Sequence, residues 1–324
     1  MMPRRTSPFW IWITAPLALV YGAVIRLRNF YFDTRHNKGL DKAAIKTLVV
    51  GNLSVGGTGK TPFVEHLLHQ HNANTTAVLS RGYGRKTKGY IEVYPDDVPE
   101  RVGDEPLLLK RLHQAVVVVV CENRQLGVDT IKKRHPHIEL VILDDAFQHR
   151  RVNPARSILL TTWQQPFFKD HLLPLGNLRE HRKGAKRASE IVVTKCPKDI
   201  GEDEKALFIK HIRRYTSAPV RFSATSYGPW RCVHGKPDRT ESITLVTGIA
   251  NPQPLLDHLQ SKSVRVTHLP FPDHYLFEQK DVDTIRKQQS DAILTTEKDW
   301  VRMARFDWGN TCIYTQPIKI LMLS

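Results

Sequence analysis

The stretch Leu48-Val-Val-Gly-Asn-Leu-Ser-Val-Gly-Gly-Thr-Gly-Lys-Thr-Pro62 constrains this chain more than any other, because an apolar run leads into a glycine-rich turn that ends in Gly59-Lys60-Thr61. Strand, turn and helix in that order are the layout of a nucleotide phosphate-binding loop. Backbone N–H groups along Ser54, Val55, Gly56, Gly57, Thr58 and Gly59 would close around phosphate oxygens. Lys60 would reach the β- and γ-phosphates, and the Thr61 hydroxyl would hold Mg²⁺. The anion then lies at the N-terminus of the helix that follows. The pattern departs from GxxxxGK[ST] at one place: Ser54 stands where the first glycine is expected, and Gly56 and Gly57 lie inside the loop instead.

Around this loop, strand-like and helix-like segments alternate. Val116 to Val120 is a continuous β-branched run, and Ile138 to Leu143, Ser157 to Thr161 and Glu190 to Thr194 have the same character. Strands buried on both faces read this way, so the expected fold is α/β: a phosphate-loop domain over 31–219 built on a mostly parallel sheet. Gly228-Pro229 and His234-Gly235-Lys236-Pro237 break the texture over 220–241, read as an extended hairpin or linker. A smaller C-terminal α/β domain is expected over 242–324. Residues 1–30 read as an N-terminal membrane helix. No charge occurs from Thr6 to Ile25, while Arg4 and Arg5 precede that run and Arg26 and Arg28 follow it. The run is just long enough to span a bilayer, and Pro16 with the flanking arginines leaves burial in the plane of the surface equally open. A cleaved signal peptide is less consistent with the long apolar run and the lack of a small-residue cleavage site.

The chain carries 48 Lys and Arg against 32 Asp and Glu, a net charge of +16, so an anionic partner or surface is expected. Its four cysteines, Cys121, Cys196, Cys232 and Cys312, form no CxxC pair, which argues against a zinc ribbon or a disulfide framework. Val141-Ile-Leu-Asp-Asp145 is an apolar strand ending in two carboxylates, the form of a metal-holding strand in phosphate-loop proteins. Asp144 is the primary Mg²⁺ candidate and Asp145 its neighbour. Partition ATPases of the ParA and MinD type carry a signature lysine before the paired glycines. Here that position is Val55, which removes the main support for a membrane-bound ATPase switch.

The chain resembles the tetraacyldisaccharide 4'-kinases, the lipid A 4'-kinases of Gram-negative bacteria, over nearly its whole length. The resemblance rests on the apolar N-terminus, GNLSVGGTGKTP at 51–62, LSRGYGR at 79–85, VGDEP at 102–106, LDDAFQHR at 143–150, PLGNLRE at 174–180, FPDHY at 271–275 and TEKDWVRM at 296–303. It implies ATP- and Mg²⁺-dependent phosphorylation of the 4'-hydroxyl of an acylated glucosamine disaccharide 1-phosphate. The implied setting is the cytoplasmic face of the inner membrane, among anionic lipids, with no nucleic acid and no obligate protein partner. By the same resemblance Asp104 would be the base at the acceptor hydroxyl, with His274 as its partner. Glu105 and Glu180 would join the metal or substrate shell. Arg81, Tyr83, Arg124, His149 and Arg179 would contact phosphate, headgroup or sugar. Independently of resemblance, a sugar hydroxyl is a weak nucleophile, so its phosphorylation needs a positioned base, a metal and cations around the phosphates. A nucleic-acid-dependent ATPase draws on the basic charge alone, and no nucleic-acid module is present in the sequence.

Overall fold

The computed structural model describes residues 8–36, 45–236, 240–262 and 264–324; Arg4, Arg5 and Thr6 of the N-terminal run and residues 237–239 of the expected linker lie outside them. The chain opens with helix α1 (Pro8–Tyr31), which continues into a π-helical turn at Phe32–His36. Then come β1 (Lys46–Asn52), α2 (Lys60–Leu68), β2 (Thr76–Ser80), β3 (Ile91–Glu92), α3 (Pro99–Val102) and α4 (Asp104–Leu112). Next are β4 (Val117–Val120), α5 (Arg124–Arg134), β5 (Leu140–Asp144), β6 (Arg156–Thr162), β7 (Glu190–Cys196), α6 (Glu202–Ile212) and β8 (Val220–Tyr227). These strands, with a last one described below, form a nine-stranded sheet, parallel except at its two edges.

The middle of that sheet, β6-β1-β5-β2-β4, explains the unbroken apolar runs: each strand is covered on both faces. Val49, Leu79, Val119, Leu143 and Val193 face one apolar layer with Ile131 and Phe208. Their neighbours Val50, Val78, Val118, Ile142 and Val192 face the other, with Phe63, Leu67 and Leu107. Each such side chain, fully buried, contributes about 1.5–3 kcal/mol, which fixes the register because a slip of one residue would exchange the layers.

A second, five-stranded sheet follows. It holds β9 (Arg231–His234), β10 (Ser242–Thr247), β11 (Arg265–Pro270), β12 (Ala292–Thr296) and β13 (Ile313–Gln316) in the order β11-β10-β12-β13-β9. Helices α7 (Gln253–Gln260), α8 (Gln279–Arg286) and α9 (Glu297–Met303) lie between its strands in sequence. The final strand β14 (Ile318–Leu323) leaves this sheet and returns to the first, pairing antiparallel with β8 from Ile318 opposite Tyr227 to Leu323 opposite Phe222. The boundaries expected at 220 and 242 therefore do not coincide with the sheets: β8 and β14 both belong to the larger one.

Helix α1 forms, but no helix among the described residues is long and apolar enough to cross a membrane. Of the two placements left open for this segment, spanning is therefore not supported. Pro16 lies inside the helix, and Arg26 and Arg28 fall in its C-terminal part. Its outward side still exposes Trp12, Leu17, Leu19, Val20, Val24 and Leu27. The opposite side docks on the larger sheet's loops: Tyr21 Oη donates to the Arg179 carbonyl at 2.7 Å, and the His181 ring lies 3.2 Å from the Gly22 carbonyl.

Candidate functional site

β1 ends where β5 ends, with Val50 opposite Asp144 in register, so the loop after β1 and the carboxylates after β5 meet in one crevice. Open α/β sheets place ligands at such carboxyl ends. Gly51 is required there, since a Cβ on it would lie 2.7 Å from that of Phe147. The loop is held from outside its own sequence. Asn52 donates to the Thr58 hydroxyl at 2.9 Å, Thr194 to the Thr58 carbonyl at 2.8 Å, and Lys195 Nζ to the Gly57 carbonyl at 2.7 Å. Gly59, at φ 82°, turns the chain into α2 with no side chain capping the helix, which leaves the first N–H groups facing the crevice.

Lys60 Nζ lies 3.6 Å from Asp145, and Arg179 grips the same carboxylate through both oxygens at 3.1 and 3.0 Å. Burial alone would raise Asp145, but Lys60 and Arg179 overcome it and hold the carboxyl below its ordinary value. Asp144 is in the opposite situation. It is buried, with Oδ2 accepting from Ser80 Oγ at 3.2 Å and Oδ1 left without a hydrogen-bond partner. Burial, reinforced by Glu105 and Asp145, pushes it up to about 7. A desolvated carboxylate with an orphaned oxygen, flanked by two other acids, fits a divalent cation, so the residues suit the Mg²⁺ expected from sequence.

Asp104 and Glu105 open α4, behind Gly103 at φ 89°. A Cβ on Gly103 would come within 3.0 Å of Gly82, so the VGDE and RGYG turns touch backbone to backbone. Against α4 packs α9 of the smaller sheet, and with it come three side chains that converge on Asp104. His274 Nδ1 lies 3.3 Å from Asp104 Oδ2, Arg302 Nη1 3.8 Å and Lys298 Nζ 4.0 Å. Lys298 also reaches Glu105 at 3.0 Å and His274 Nε2 at 3.4 Å. Burial would raise Asp104, yet the His274 hydrogen bond and the charges of Lys298, His274 and Arg302 hold it below the usual carboxylate range. For Lys298, burial would lower the ammonium, but Glu105 and Asp104 more than offset it, so its pKa is raised. The structure thus brings Asp104 and His274 side by side. Lys298 and Arg302, quoted within TEKDWVRM, had been given no role, and Lys195 was not singled out at all.

Among the described residues, the non-glycine positions with positive φ are Asp145, Lys195 and His274, and all three take part in these contacts. Left-handed backbone costs a non-glycine residue on the order of 1 kcal/mol, and it persists where surrounding structure over-determines the conformation.

The remaining candidates divide. Arg81, Arg124 and His149 line a single cavity of about 570 Å³, together with Arg28, Phe32 and Arg150. Arg124 is buried and also donates to the Asp144 carbonyl at 3.2 Å, so it props the metal-side strand as well as facing the cavity. Burial, then Arg124 and Arg81, push His149 down to about 4, leaving a neutral ring among guanidiniums. Tyr83 is exposed, its ring centroid 6.1 Å from that of His274. Glu180 departs from expectation. It is fully buried, both oxygens bind Arg187 at 2.8 Å, and Gln148 donates to it at 3.0 Å. A carboxylate so engaged is a structural anchor for the 179–187 loop. Among the described residues, no three of Asp144, Asp145, Glu105 and Glu180 bring oxygens within 4.8 Å of one another.

A sequence model of the family described as LpxK, tetraacyldisaccharide-1-P 4'-kinase, matches residues 10–322. A protein of Cytophaga hutchinsonii named tetraacyldisaccharide 4'-kinase is 41% identical over 300 residues, covering 89% of this chain and 84% of its own. One of the same name from Flavobacterium psychrophilum is 39% identical over 321 residues, covering 95% and 92%. Among solved structures, the "apo" form of LpxK from Aquifex aeolicus, in complex with ATP, superposes with a TM-score of 0.75 at 28% identity, covering 95% of this chain and 94% of that one.

Proposed function

The chain belongs to the tetraacyldisaccharide-1-P 4'-kinase family, and from that premise we infer that it is an ATP-dependent lipid kinase, transferring the γ-phosphate to the 4'-hydroxyl of a tetraacylated glucosamine disaccharide 1-phosphate to give lipid IVA. The observation that carries this reading is the meeting, at one crevice, of the loop around Lys60, the orphaned Asp144 oxygen and the Asp104–His274 pair.

The residues divide the work. Loop N–H groups and Lys60 take the β- and γ-phosphates; Lys60 must exchange Asp145 for phosphate, and Arg179 keeps Asp145 paired when it does. Asp144 and Thr61 would hold Mg²⁺, with Glu105 near it, and the metal when bound neutralises charge on the transferring phosphoryl group. Asp104, accepting the acceptor's proton, orients the hydroxyl oxygen towards the γ-phosphorus. His274 Nδ1–H holds the Asp104 carboxylate in place, and Lys298 fixes the ring from its Nε2 side. Arg81, Arg124 and His149 supply a basic, partly desolvated pocket for the anionic part of the acceptor. A neutral His149 accepts or donates there without adding a further positive charge.

We place α1 in the plane of the cytoplasmic membrane surface, its apolar side in lipid and its docked side against the 179–181 segment, where ATP and a lipid acceptor are both in reach. The rival ATPase switch has Val55 at the signature position, and the lysine that touches this loop, Lys195, comes from the same chain. The deciding assay follows labelled γ-phosphate with a tetraacyldisaccharide 1-phosphate acceptor in detergent micelles. A phosphorylated lipid is the expected product, and release of free phosphate without lipid labelling would refute the kinase reading.

A further inference from the structure

Away from the crevice, the far ends of α2 and α4 carry a group of side chains that the kinase chemistry does not use. Glu65 lies on the last turns of α2, His69 caps its C-terminus, and His113 caps the C-terminus of α4. One ligand atom from each lies within 4.8 Å of the other two, and among the described residues this is the one such group of three or more His, Cys, Asp or Glu. The His69 ring sits edge-on to His113 with centroids 5.1 Å apart, and His69 Nε2 is 3.8 Å from Glu65 Oε1. His113 Nε2 is buried with no hydrogen-bond partner. We propose that Glu65, His69 and His113 form a binding site for a transition-metal ion of the Zn²⁺ class.

The donor set is the argument. Two imidazoles and one carboxylate favour a borderline-soft ion such as Zn²⁺ over Mg²⁺, which prefers all-oxygen shells, so this site is chemically distinct from the one at Asp144. Three protein ligands with water in the fourth position are a common tetrahedral arrangement for zinc. Metal–ligand distances of about 2.0–2.2 Å require the three atoms to draw in by roughly 1 Å. His69, its side chain 65% exposed, is free to make that movement by rotation.

The position gives the site a consequence. α2 begins with Lys60 and Thr61 of the phosphate loop, and α4 begins with Asp104 and Glu105. An ion joining their C-terminal ends fixes the spacing of the two helices whose N-terminal ends hold the phosphates and the base.

The test uses the full, tag-free chain stripped with chelator and kept in saturating Mg²⁺. Zn²⁺ is measured by equilibrium dialysis and Co²⁺ by its visible absorption. One ion per chain is expected, with the intense bands of tetrahedral cobalt. His69→Gln and His113→Gln should each weaken binding at least about tenfold, while His71→Gln, on the next turn of chain, leaves it unchanged. The thermal midpoint should rise with Zn²⁺ in the parent and not in His69→Gln; this variant alters an exposed ring and keeps the test valid should His113→Gln fail to fold. Absence of saturable binding below millimolar Zn²⁺, octahedral cobalt spectra, or binding indifferent to His69→Gln would each overturn the proposal.

Discussion

Replacing Asp104 and His274 singly and together tests whether the two sheets contribute one catalytic unit. They approach at 3.3 Å, Asp104 from α4 on the larger sheet and His274 from the loop after β11 on the smaller. At an effective dielectric of about 20, unit charges at that distance interact by about 5 kcal/mol, an upper bound that applies only to a protonated ring. His274 is 40% exposed, so solvent screening and desolvation reduce this to a net coupling of about 1–3 kcal/mol. Loss of a positioned base costs about 10²–10⁴ in turnover, which sets the expectation for Asp104→Asn. Coupling of 1–3 kcal/mol sets a smaller loss for His274→Gln, between about fivefold and 150-fold. The double variant should fall within about threefold of Asp104→Asn alone, because His274 has no carboxylate left to hold. Steady-state kinetics of lipid phosphorylation at saturating ATP and Mg²⁺ read this directly, and KM for ATP should move little. Losses that multiply would show two independent residues and refute the unit.

Lys60→Ala and Thr61→Ala should each lower turnover by two orders of magnitude or more, on the order seen when phosphate-clamping groups are removed, while the circular-dichroism melting curve stays close to that of the parent. Lys298→Met should reduce turnover about tenfold or more by freeing His274 and Glu105, with partial recovery in Lys298→Arg; equal losses in both would point to packing instead of charge. His149 sits at about 4 against an ordinary 6.5, so between those values the unfolded chain binds the extra proton and stability falls as pH drops below about 6.5. Urea unfolding at pH 7 and pH 5 should show His149→Gln losing about 1 kcal/mol less than the parent over that interval, after discounting for partial exposure. Removing residues 8–31 should lower recovery on anionic vesicles and leave a residual binding that fades with salt; salt-insensitive binding by the truncated chain would locate the main apolar contact elsewhere.

Much of the crevice was legible because its signals are local. A phosphate loop is a strand, a glycine turn and a helix in one stretch, and the two carboxylates follow the four apolar residues of β5 directly. Strands β4, β5, β6 and β7 read as apolar, β-branched runs because both of their faces are covered. What escaped depends on partners remote in sequence. Nothing near Glu180 announces that Arg187 will occupy both of its oxygens, and TEKDWVRM does not reveal that Lys298 and Arg302 will point across at Asp104. The N-terminal run, uncharged from Thr6 to Ile25, left spanning and in-plane burial equally open, because the sequence does not show that one side of the helix docks through Tyr21 and Gly22 on the 179–181 segment.

The return of β14 to the first sheet has a practical consequence for how this protein is made and cut. Its pairing with β8 joins residues about a hundred positions apart, from Ile318 with Tyr227 to Leu323 with Phe222. A nascent chain therefore finishes its nucleotide-binding sheet only when residues 318–323 have emerged, after the smaller sheet has been synthesised in between. A fragment ending near 241 would leave the β8 edge bare, with a row of unpaired N–H and C=O groups open to self-association. The smaller sheet is thus an insertion held at both ends, and an isolated ATP-binding fragment requires the 318–323 strand to be supplied, by fusion after β8 or as a separate peptide.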